Sequence, residues 1–145
     1  MNLLPGLASV VLLSASLAPA DLDRVVAEPN LEKRARMAVD NANAALDRAR
    51  DAYQQGENDA MKGALDEVAE SVRLAYRSLQ ETGKKPRRNS RPYKRAEIGT
   101  RKLLRRLESF RDEMSYLDRE AIEPILKIVE EIQNSLLKDV MGGAR

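Results

Sequence analysis

The residues with the clearest chemical potential in this chain are cations. Between Lys84 and Arg106 stand eleven Lys or Arg against a single acid, Glu97, a local net charge of +10. The whole 145-residue chain nets only +2, so everything outside this block nets −8. Seven of the cations fall within the twelve residues from Lys84 to Arg95: Lys84, Lys85, Arg87, Arg88, Arg91, Lys94 and Arg95. Pro86 and Pro92 bias the residues before them away from helix, so much of this segment is expected to be extended. Cations at the start of a helix oppose its dipole. A bound anion would offset that cost, and the first backbone N–H groups of the helix would add to its binding. These seven residues are therefore the candidate site for an anionic partner. The competing expectation is a solvated charge run balanced by acids on neighbouring helices, through surface pairs worth about 0–1 kcal/mol each.

Other chemistries find little to work with. The chain has no His and no Cys. Without them, di-iron, haem and most zinc sites in a helical protein lose their usual ligands, and disulfides and thiolate nucleophiles are excluded. Carboxylate-only Ca²⁺ or Mg²⁺ sites stay open, but pairs such as Glu67/Glu70 and Glu130/Glu131 have the spacing of solvated helix faces, and no EF-hand loop is present. Ser135 and Lys138 match S-x-x-K in form, without the companion S-D-N and K-T-G motifs. No Gly-rich phosphate loop or G-x-S-x-G appears. The expectation is a protein that is not an enzyme and carries no cofactor and no metal.

The elements that must position the cations are helices. Charged residues make up 33% and aromatics 3%, which with helical periodicity favours an all-α chain. Asn30 can cap a run whose seam is Leu31, Ala35, Ala38, Ala42, Ala45, Ala49 and Ala52, spaced four and three alternately. Small seam residues allow close approach of a neighbouring helix. Gly56 suits a left-handed turn, with Asn58 or Asp59 as the next cap. The second seam is Met61, Leu65, Val68, Val72, Ala75 and Leu79, closed by Thr82-Gly83. The third is Tyr93, Ala96, Thr100, Leu103, Leu107, Phe110, Met114 and Leu117, with Ser90 as its cap. The fourth is Ile122, Ile125, Val129, Ile132, Leu136 and Val140, with Asp118 as cap and Pro124 either kinking its first turns or marking its true start. The expected helices cover about 31–54, 59–82, 92–116 and 119–141. They predict an antiparallel up-down-up-down four-helix bundle of two long hairpins, with 21–30 as a tether and 142–145 as a tail. That topology places Tyr53 and Tyr116 at one end, and Tyr76 and Tyr93 at the other. A coiled-coil hairpin pairing with a second copy is the competing shape.

Tyr53, Gly56 and Ala60 around the first tight turn resemble a tetratricopeptide unit over about a dozen residues. The helices here are longer than in that family, and no second copy follows at a period of about 34 residues.

Residues 1–20 hold no charged side chain, an apolar core from Leu7 to Leu17, and Ala18-Pro19-Ala20 before Asp21. This predicts a signal peptide cleaved after Ala20, although its first residues lack Lys or Arg. An uncleaved anchor or a buried helix is the alternative. The functional expectation is an exported, periplasmic or extracellular binding module whose partner is an anionic envelope component or an acidic protein surface. Contact with membrane would come only through an uncleaved N-terminal segment. The alternatives are a structural or self-associating helical module and, if the chain is not exported, a nucleic-acid binder. Export and the single nearby aromatic, Tyr93, disfavour nucleic acid.

Overall fold

A computed structural model describes residues 20–142; the expected signal peptide, except for its last residue Ala20, and residues 143–145 of the expected tail lie outside the described residues. The described chain forms α1 (Ala20–Val26), α2 (Leu31–Gln54), α3 (Asn58–Glu81), α4 (Ser90–Glu113), a short 3-10 helix (Tyr116–Ala121) and α5 (Glu123–Met141). It is all-helical, and the four long helices α2 to α5 pack against one another.

Local chemistry accounts for the first hairpin. The Asn30 side chain accepts the Lys33 N–H at 2.9 Å and caps α2. Gly56, at φ +73°, takes the left-handed conformation that lets the chain reverse into α3. Gly83, at φ +66°, plays the same part after α3. The α2 seam is buried along its length, Ala35, Ala38, Ala42, Ala45, Ala49 and Ala52 all lying inside. Bulk comes from the facing helices, through Leu65, Val68 and Val72 of α3, Leu103, Leu107 and Phe110 of α4, and Ile125 and Val129 of α5. Each such side chain contributes roughly 1.5–3 kcal/mol on burial.

Contacts give the sense of each packing. Arg34 meets Glu81 and Arg48 meets Glu67, so α2 and α3 run in opposite directions. Glu97 meets Gln133 across α4 and α5, while Tyr93 lies with Leu136. Between α2 and α4 the pairs keep a constant offset, Arg106 with Asn43 and Arg50 with Glu113, so these two helices run in the same direction. Ser115 donates its N–H to the Tyr53 hydroxyl, placing Tyr53 beside the segment that holds Tyr116. Tyr76 and Tyr93 meet at the other end, against Leu79 and Leu136. The tyrosine groupings are those expected.

Three expectations need correction. Residues 21–30 are not all tether: Asp21 to Val26 belong to α1, and Val25 is buried against Ala38, Leu74 and Ala75. Leu22 and Val25, three residues apart, share one face, with Asp21 and Asp23 in the first turn and Arg24 in the last, each suited to the helix dipole. The third helix ends at Glu113 rather than running to 116. Met114 leaves it in extended conformation to bury its side chain, and Leu117, expected on the seam, is exposed. The fourth helix begins at Glu123 rather than at 119, because Pro124 suits a first turn and residues 116–121 wind as 3-10 helix. Asp118 caps nothing there. It accepts hydrogen bonds from the Tyr53 hydroxyl at 3.1 Å and the Ser115 hydroxyl at 2.6 Å.

Candidate functional site

The basic junction is a turn, not the extended segment that its prolines predict. The Lys85 carbonyl accepts the N–H groups of Arg88 and Asn89 at 3.0 and 3.1 Å. Pro86 stands second in that turn, where its fixed φ is favoured. Helix α4 then starts at Ser90, with Pro92 in its first turn. Asn89 occupies the cap position but does not cap. Its side chain donates to Glu32 at 2.8 Å, tying the turn to the start of α2. Lys84 reaches the same carboxylate at 3.1 Å. The hydrogen bonds from Asn89 and Lys84 hold the Glu32 carboxyl below the usual carboxylate range.

The structure brings all seven candidate cations to one end of the molecule, in the turn and the first turns of α4. Lys84, Lys85, Arg87, Arg88, Arg91, Lys94 and Arg95 are all exposed. Among the described residues, Lys84 alone of the seven has an ion-pair partner, Glu32. The other six face solvent without a carboxylate within ion-pair distance. Tyr93, the aromatic in their midst, points inward and donates its hydroxyl to the Leu79 carbonyl at 3.2 Å. It offers no surface for base stacking.

Further cations join these. Lys102 and Arg105 are exposed on the next turns of α4, and Arg101 is held by Glu97 at 3.6 Å. Their position off the apolar seam is legible in the sequence. Arg36 of α2 is not. It joins Arg91 and Arg95 on the rim of a groove of about 440 Å³ between α2 and α4. Finding it requires knowing that these helices are neighbours and run the same way. The groove exists because the helices meet there through small residues: Ala35, Val39, Ala96 and Gly99 line its floor.

Four of the six buried polar residues are engaged elsewhere. Asn41 donates to Ser71 at 2.9 Å, and Gln133 donates to Glu97 at 3.1 Å. Glu97 is thus spoken for by Gln133 and Arg101, and it lines none of the groove. The hydroxyls of Ser78 and Thr100 are buried without a partner. Among the described residues no group of three or more Asp or Glu could hold a metal ion, and no helix is long and apolar enough to cross a membrane. Compared with protein-family models, curated proteins and solved structures, the chain matches none.

Proposed function

We propose that this chain is an exported, non-catalytic binding module, an up-down-up-down four-helix bundle that engages an anionic partner through its basic end. One observation carries this reading: among the described residues, six exposed cations of the junction have no carboxylate within ion-pair distance. Like charges crowded on a surface repel and cost stability. The opposite arrangement was available, since the rest of the chain carries a net −8. A partner bearing carboxylates or phosphates relieves the repulsion and gains charge-assisted hydrogen bonds from four arginines, Arg87, Arg88, Arg91 and Arg95. Inward-facing Tyr93 argues against single-stranded nucleic acid, which is held largely by stacking. Export rests on the apolar run and the Ala18-Pro19-Ala20 site, and cleavage after Ala20 with recovery outside the cytoplasm would support it.

The test compares the full chain with a variant in which the seven cations are Gln. Both are offered vesicles of anionic lipid, an acidic polysaccharide, an acidic protein and duplex DNA. The native chain should retain at least one of these at low salt and lose it as salt rises, and the variant should retain none while keeping its helical circular dichroism. Equal retention of both proteins on every probe would overturn the reading.

A further inference from the structure

We propose that one anionic partner of the basic end is a second copy of this chain, with Tyr116 and Leu117 of one copy seated in the groove between α2 and α4 of the other. This deepens the binding reading above and rests on it. It starts from two side chains that the fold leaves unexplained. Tyr116 and Leu117 are 84% and 83% exposed, side by side on the 3-10 helix. Single exposed apolar residues are ordinary, but an adjacent large pair held outward calls for a contact.

The corner that carries them is braced. Asp118 takes hydrogen bonds from Tyr53 and Ser115, and Arg119 donates to the Met114 carbonyl at 3.3 Å. The pair therefore sits on a fixed knob and would lose little freedom on docking. Glu120 and Glu123 follow the pair in the chain, and the α2–α3 turn, brought to the same end by the Tyr53–Ser115 bond, adds Glu57 and Asp59; all four are exposed and unpaired among the described residues.

The groove is the complement on both counts. Its floor is apolar and small, and its rim carries Arg36, Arg91 and Arg95. Two acids also line it. Glu32 is engaged by Lys84 and Asn89, which leaves Asp40 against three arginines. Its volume, about 440 Å³, lies in the range of sites that take compact ligands. Knob and groove lie towards opposite ends of α2. From Val39 in the groove to Tyr53, which bonds the corner carrying the knob, the helix rises about 21 Å. A copy cannot fill its own groove, so the contact joins two molecules. An apolar projection that fits a pocket elsewhere on the same molecule is the general recipe for such association.

Sedimentation equilibrium of the full chain tests this. The average mass should rise with concentration at low salt and fall towards that of the monomer at about 0.5 M salt, where the Debye length is only about 4 Å. Two double variants, Tyr116→Ser with Leu117→Ser and Arg91→Glu with Arg95→Glu, should each weaken association roughly tenfold or more. Mixing the Arg91→Glu, Arg95→Glu protein with a Glu120→Arg, Glu123→Arg protein should restore association that neither shows alone. A monomer at every concentration in low salt, or association that survives the Tyr116, Leu117 substitutions, would overturn the proposal. The Tyr116, Leu117 variant keeps all seven cations, so its binding to the anionic probes separates the two ideas. If the native chain is monomeric yet still binds those probes, self-docking alone fails.

Discussion

At the residue scale, the informative side chains are those whose polar atoms are constrained by their neighbours. Tyr76 donates its hydroxyl to Asp139 at 3.0 Å. Burial, and then that carboxylate, push its ionisation up to about 12. A raised pKa favours the neutral phenol in the folded chain. Its contribution to stability is present in full below the ordinary tyrosine range, near pH 10, and is lost as pH rises from there through about 12. Tyrosinate absorbance of the folded protein should therefore show a late-titrating tyrosine that Tyr76→Phe removes. That variant should lose about 1 kcal/mol at neutral pH, the usual worth of one hydrogen bond. Glu32 runs the other way. Its lowered pKa means that its hold on Lys84 and Asn89 persists above the ordinary carboxylate range and weakens as pH falls through the lowered value. Side-chain amide resonances of Asn89 should shift in that acid window and not in Glu32→Gln. Thr100 is a buried hydroxyl without a partner, so the nearly isosteric Thr100→Val should be neutral or stabilise by up to about 1 kcal/mol in thermal unfolding.

Among elements, three glycines separate propensity from packing. Gly63 lies inside α3 with open space where a Cβ would stand. Gly63→Ala should stabilise by about 0.5–1 kcal/mol, because the helix gains and nothing is displaced. Gly56→Ala should destabilise by about 1 kcal/mol, since φ +73° is strained for any side chain with a Cβ. At Gly99 an added Cβ would stand 3.0 Å from the Val39 side chain, where α4 approaches α2. Gly99→Ala should therefore forfeit the gain seen at Gly63. Denaturant midpoints of the three variants give the comparison. If Gly99→Ala stabilises as much as Gly63→Ala, the approach of α2 and α4 is looser than the structure has it.

On the scale of the whole molecule, charge is sorted by position: an end rich in unpaired cations lies across from one where exposed acids predominate. If the seven cations served the fold through pairing, removing them would destabilise it. Because six have no ion-pair partner among the described residues, the seven-Gln variant should melt at the same temperature or a few degrees higher. A clear drop in its melting temperature would return the patch to a structural role.

Apolar spacing decided much of this beforehand. The α2 and α3 seams are legible because a helix repeats every 3.6 residues, and a buried stripe must follow that period whatever its partner. Glycine turns are legible because few other residues take positive φ. The exposure of the seven cations is legible because unpaired charge does not enter a core. Long-range neighbours are not written in any local period. The side-by-side course of α2 and α4, the tie from Glu32 to Asn89, the Arg36 rim of the groove and the burial of Val25 each join residues far apart in the chain. The exposed Tyr116 and Leu117 belong with them: an apolar pair placed in line with a seam reads as core until Met114 turns inward and Pro124 starts the next helix. Only the packed molecule decides which apolar side chains find cover, because cover is supplied by other helices.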